Sequence, residues 1–183
     1  NDIALNEDLF KRVKAVYDQK DTLNLTTEQA TLLDKKFKGF SRNGALLNEE
    51  DKLKLREIDT ELAKIKLTFG ENVLAETNNY QLHITNEADL KGLPDGAKEM
   101  AASLAKSKNL EGWVFTLDFP SYLPFVTYVE NRELRKEIAI AAGKKSFQDN
   151  ELDNKENVKR IVVLRHKRAN LLGYQSHSHF VLE

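Results

Sequence analysis

The sequence predicts a mostly α-helical fold, a multi-helical domain with one long spine helix and a minor two-stranded β element. Three observations lead there. Only 8 glycines and 3 prolines punctuate 183 residues, apolar residues recur at three-four spacing through most of the chain, and period-two alternation is confined to two places, near residues 80–85 and 113–119. A chain of this length can remove roughly 70% of its unfolded surface from water, so its core needs neither metal nor disulfide. There is no cysteine. No linker, repeat or low-complexity tract interrupts it, and residues 1–183 read as one helical domain.

Asn6 reads as the cap of the first helix, with Glu7 and Asp8 favoured at the positive end of the dipole and Leu9, Phe10, Val13, Val16 and Tyr17 facing inward. Thr26 and Gln29 form a capping box for the second, which turns Ala30, Leu33 and Phe37 inward and stops at Gly39. Asn48 caps the longest element. It runs to about Asn79 with Leu55, Ile58, Leu62, Ile65, Phe69 and Val73 in one stripe, spanning roughly 45 Å, with Gly70 as a place to bend. Tyr80, Leu82 and Ile84 then alternate with Gln81, His83 and Thr85 as a strand. Asn86 to Lys91 is a brief helical turn, and Pro94 suits the first position of a helix carrying Ala97, Met100, Ala101 and Leu104.

The second strand, Trp113 to Phe119, sets Trp113, Phe115, Leu117 and Phe119 against Val114, Thr116 and Asp118, and Pro120 ends its ladder. A lone pair of strands is marginal in water, so the two should pair with each other against a helix. Tyr122, Phe125, Val126 and Val129 return to helical spacing. Asn131 caps a further helix with Leu134, Ile138 and Ala142 inward, and Phe147 to Asp153 is a loop. Asn154 opens the next helix, with Val158, Ile161, Val162, Ala169 and Leu172 inward and Gly173 in the left-handed capping position. His179 to Glu183 begin another.

The run GWVFTLDFPSYLPFVTYVENRELRKEIAIAA, together with GENVLAETNNYQLHIT, LKGLP and VVLRHKRANLLGYQSHSHFVLE, resembles the thimet oligopeptidase and peptidyl-dipeptidase family of zinc metallopeptidases, and most of all its bacterial peptidyl-dipeptidases. The resemblance runs firmly from about Leu46 to Glu183. It implies an enzyme whose His-Glu-x-x-His helix ligates zinc and acts on metal-bound water. Such an enzyme has a deep channel between two mostly helical halves that admits short peptides. Here His83, His166, His177 and His179 are followed by Ile84, Lys167, Ser178 and Phe180, and none begins that motif. The expectation is therefore an N-terminal piece without catalytic or metal-binding residues of its own. Zinc belongs to the intact parent, and the isolated chain is expected to be inactive. Asn1 and Asp2 at the start, and the helix broken off at Glu183, read as cut ends. The expected partners are the remaining catalytic portion of the same polypeptide and short peptides, the piece itself being monomeric. A non-catalytic helical module that binds a protein or peptide is the alternative.

Lys and Arg total 28 against 29 Asp and Glu, so no net field draws in nucleic acid. No apolar run approaches the roughly 18 residues of a membrane span and no leader pattern opens the chain; a soluble cytoplasmic protein is expected. Gly39 and Gly44 are spaced as in a phosphate loop, but Ala45 and Leu46 stand where Lys and Ser or Thr are needed. His177 and His179 could share a metal on extended backbone, yet at a helix start they point apart. His83 falls on the polar face of its strand. Lys159, Arg160, Arg165, His166, Lys167 and Arg168 form the densest basic cluster, readable as an anion site or as solvated helix surface. Arg132 and Arg135 interleave with Glu133 and Glu137 as local ion pairs, and Asp118 is the one carboxylate in an aromatic strand. Thr116 is the candidate substrate-channel residue, on a sheet edge that could pair with extended peptide backbone.

Overall fold

The computed structural model describes residues 3–183; Asn1 and Asp2, read above as a cut end, lie outside the described residues. The fold is mostly α, with eight α-helices and one two-stranded antiparallel sheet among the described residues. Packing separates two compact units, one formed by the chain up to Lys66 with Lys159–Glu183, the other by Leu67–Val158.

Unit one holds α1 (Glu7–Tyr17), α2 (Thr27–Arg42) and the first half of α3 (Glu49–Asn79). Its helices start where the sequence says. Asn6 Oδ1 accepts the Leu9 N–H at 2.9 Å, Thr26 and Gln29 close their reciprocal box, and Asn48 Oδ1 accepts the Asp51 N–H at 2.8 Å. Each cap is set by residues at most three apart, which is why it is legible locally.

Burial in this unit departs from expectation. Phe10 packs on Phe37 and Phe40, and Tyr17 stacks on Phe37 with centroids 3.8 Å apart, but Leu9, Val16 and Ala30 are exposed and α2 buries no residue fully. A line of aromatic rings joins α1 to α2, and it is narrower than the apolar face the spacing suggested. Gly39 does not stop α2 either. The helix continues to Arg42, because a glycine inside a helix costs only about 1 kcal/mol and the left-handed turn comes at Gly44 (φ +94°), where a Cβ would lie 2.5 Å from Leu55 Cδ2. On α3, Leu55 and Leu62 are buried and Lys52 sinks with them, its ammonium held by Glu7 at 2.7 Å and Glu49 at 2.8 Å.

Unit two takes the rest of α3, which passes Gly70 unbroken and becomes exposed at Phe69, then β1 (Leu82–Ile84), a 3-10 turn (Glu87–Leu90), α4 (Asp95–Ser107) and β2 (Trp113–Phe115). The strands pair antiparallel as expected, with Leu82 opposite Phe115, His83 opposite Val114 and Ile84 opposite Trp113. Both are shorter than the alternation suggested, and β2 ends at Phe115 because α5 (Phe119–Tyr128) begins where the second half of the strand was expected. Pro120 belongs to the first turn of that helix, its fixed φ suiting a helix start as well as a strand stop. Nor is one face wet: Val114 and Phe115, on opposite faces, are both buried, and Phe119 is 71% exposed. Pro94 is the residue before α4 and not its first, and that helix buries Ala101 and Ala105 while Met100 is exposed.

The core joins Leu82, Ile84, Leu90, Phe115, Phe125 and Ile138, with Leu134 and Ala142 of α6 (Arg132–Gly143) against it. Asn131 caps α6 as expected, accepting from the N–H groups of Glu133 and Leu134. The loop after α6 is tied to α3: Glu76 accepts from Gln148 at 2.5 Å and Asn150 at 2.6 Å, and Asn154 donates to the Phe69 carbonyl at 3.1 Å and accepts from Asn72 at 3.0 Å.

Asn154 precedes α7 (Lys155–Leu171), whose first residues lie in unit two and the remainder in unit one, followed by α8 (His177–Leu182). Gly173 has the expected positive φ of +86°. Val158 and Val162 are exposed instead of inward, whereas Ala169 is buried as the spacing predicts, together with Leu164, which the predicted stripe did not include. Among the described residues no helix is long and apolar enough to cross a membrane.

Candidate substrate-facing site

Thr116 was expected on a sheet edge but lies past the end of β2, in the turn to α5, because hydrogen bonds with Ser121 and Asp118 replace the strand ladder there. Its N–H donates to Ser121 Oγ at 3.0 Å, and its hydroxyl donates to Asp118 Oδ2 at 3.0 Å. The Asp118 carbonyl accepts from the N–H groups of Ser121 and Tyr122 at 2.9 and 2.8 Å, starting α5. Asp118 is exposed, with its charge in solvent and against the Thr116 hydroxyl. At the other end of β2, Gly112 (φ +84°) approaches β1 so closely that a Cβ would lie 2.3 Å from the Ile84 carbonyl oxygen.

A cavity of about 170 Å³ opens beside this turn, lined by Ala97, Met100, Leu104, Phe115, Thr116 and Ser121 among others. Its lining is mainly apolar, and Thr116, Asp118 and Ser121 supply its polar groups. A cavity of that kind suits an apolar side chain better than a charged one. Because the Thr116 N–H is already bonded inside the chain, backbone pairing by a peptide would have to use other groups of the strand. Met100 is on the helix face that the sequence spacing predicts, whereas Ser121 carried no signal, since its contact depends on a turn that alternation does not describe.

The other candidates disperse. His83 Nε2 contacts the Glu111 carbonyl at 2.6 Å. His166 is exposed on α7, and His177 and His179 lie on α8, where Ser176 Oγ contacts His179 Nδ1 at 2.7 Å and accepts the His179 N–H. Burial, then the nearby Arg165 and Arg168, push the His177 imidazole below its ordinary pKa. Among the described residues no three His, Asp or Glu are placed to hold a metal ion.

The basic cluster is partly neutralised: Arg160 Nη2 meets Glu61 at 2.7 Å and Arg168 Nε meets Asp59 at 2.7 Å. Arg135 does not pair as read. Its Nη1 donates to the Val129 carbonyl, and Glu133 reaches Lys136 at 3.8 Å.

Against known proteins, residues 125–183 match the model of peptidase family M3. The chain is 32% identical over 180 residues to Oligopeptidase A of Escherichia coli, covering 96% of this chain and 26% of that protein. It is 31% identical to the Probable cytosolic oligopeptidase A of Arabidopsis thaliana, covering 96% of this chain and 26% of that protein. With the Dipeptidyl carboxypeptidase of Escherichia coli it shares 30%, covering 95% and 26%. A mostly helical chain with this small sheet and these relatives is a metallopeptidase-family protein. It belongs to the thimet oligopeptidase and peptidyl-dipeptidase family. It spans about a quarter of the length of these relatives.

Proposed function

We propose that this chain is the helical part of a zinc oligopeptidase or peptidyl-dipeptidase that hydrolyses short peptides, and that it forms one wall of the substrate channel. The observation that carries the reading is continuous similarity to enzymes named oligopeptidase A and dipeptidyl carboxypeptidase over at least 95% of the chain. The zinc ligands and the group acting on the attacked carbonyl lie outside residues 3–183 in this reading. Within them, Thr116 and the apolar cavity beside it face the peptide. The cavity takes one apolar side chain, and the short polar turn at Thr116, Asp118 and Ser121 fixes its rim.

The test is made in the full-length enzyme, with Met100→Trp to fill the cavity mouth and Thr116→Val to remove only the hydroxyl. Met100 is half exposed, so the larger ring need not disturb folding. For octapeptides with a large apolar residue, kcat/KM should fall about tenfold in Met100→Trp, the scale of losing one well-buried apolar contact. It should fall less in Thr116→Val. Unchanged kcat/KM in both folded variants would remove the wall reading at this place, and a full-length protein without peptidase activity would favour the interaction module.

A further inference from the structure

Within unit one, Lys66 on α3, Arg165 and Arg168 on α7 and His177 on α8 line one cavity of about 470 Å³, with Phe180 also in its wall. The basic cluster of α7 therefore has an unequal fate. Arg160 is matched by Glu61, and Arg168 by Asp59, with its guanidinium also over the Phe180 ring at 5.1 Å from the centroid. Arg42 lies over the same ring at 5.1 Å. Lys66 and Arg165 meet no carboxylate at ion-pair distance among the described residues, although both border the cavity. Asp59 is the single carboxylate in the lining, against the three basic side chains Lys66, Arg165 and Arg168, and it is engaged by Arg168.

That excess of positive charge registers on the neighbouring imidazole, since Arg165 and Arg168 add to burial in disfavouring protonated His177. A neutral imidazole offers a donor and an acceptor together. The volume is many times the roughly 30 Å³ share of one water, and guanidinium and ammonium groups that converge on one space are the usual recognition chemistry for oxyanions.

We propose that this cavity binds an oxyanion, a phosphate or a carboxylate, gripped by Lys66 and Arg165, with Arg168 held in place by Asp59. The proposal does not rest on the peptidase reading.

The test titrates the 183-residue chain with inorganic phosphate and, separately, with citrate at constant ionic strength, following the histidine ring signals by NMR. His177 is assigned through His177→Gln, and His83, His166 and His179 serve as internal controls. Binding should shift the His177 signals saturably and raise its pKa, because an anion cancels the positive field. Lys66→Gln and Arg165→Gln should each weaken binding about tenfold or more, the scale of one charge-assisted hydrogen bond. Both residues are exposed, so the variants should keep the parent's melting temperature. Response to phosphate alone identifies a phosphoryl group, and response to citrate alone a carboxylate. No saturable shift with either anion, equal shifts at His166 and His179, or undiminished binding in both variants would overturn the proposal.

Discussion

Unit two gathers Leu90, Phe115, Phe125, Val129 and Ile138 into one cluster at 1% exposure or less, whereas unit one buries Leu55 and Ala169 as closely but none of α2 fully. The difference follows from what each helix packs on. In unit two a sheet, however small, gives α4 and α5 a surface with side chains on both faces, and Phe115 can meet Phe125 with centroids 4.5 Å apart. In unit one, helices meet along aromatic lines and are cross-linked by polar ties at Lys52, Arg160 and Arg168.

The strongest way to break this comparison is to truncate one aromatic in each unit. Phe125→Ala should cost about 3–5 kcal/mol by urea unfolding, and Phe37→Ala, half-buried and stacked on Tyr17, about 1–2 kcal/mol. Equal losses would mean that exposure misreads the packing. A second contrast uses glycine. Gly112→Ala forces a Cβ against the Ile84 carbonyl at positive φ and should cost about 2 kcal/mol or more, while Gly39→Ala, with nothing within 4 Å of the new Cβ, should gain about 0.5–1 kcal/mol from a stiffer unfolded chain.

The smallest effect is one of pH. A hydrogen bond from Lys52, then one with Glu49, and then the Lys52 and Lys11 charges hold the Glu7 carboxyl down at about 2 from an ordinary 4.5. A depressed folded value means that this stabilisation is present above pH 4.5 and is lost as pH falls toward 2. The acid sensitivity of unit one, followed by amide exchange, should diminish in Glu7→Gln while that of unit two stays the same.

What was legible in the sequence was local. Asn6, Thr26 with Gln29, Asn48 and Asn131 all cap helices, because a cap is a bond between residues two or three apart. The two strands were legible through their local alternation, and their pairing only because no other strand was predicted to partner either. Errors came where one residue type serves two purposes. Pro120 ends a ladder and starts a helix with equal ease, so seven alternating residues read as strand when three are. Gly39 resembled a stop, but the backbone needs positive φ only at Gly44. Leu9 and Val158 lie on amphipathic stripes, yet which part of a stripe is covered depends on partners distant in the chain. At the candidate site, alternation put Thr116 in a strand that ends one residue before it, and Ser121 entered only through the turn that binds it.

Asn154 has one further consequence. It is 3% exposed, and its two ends are read separately: the amide nitrogen by the Phe69 carbonyl, the oxygen by the side chains of Asn72 and Asn157. An aspartate has nearly the same outline but no hydrogen to give, so it would set a negative charge against a carbonyl oxygen. The position selects by bond polarity where shape cannot discriminate, and hydrolytic loss of that amide nitrogen would by itself loosen the loop from the long helix.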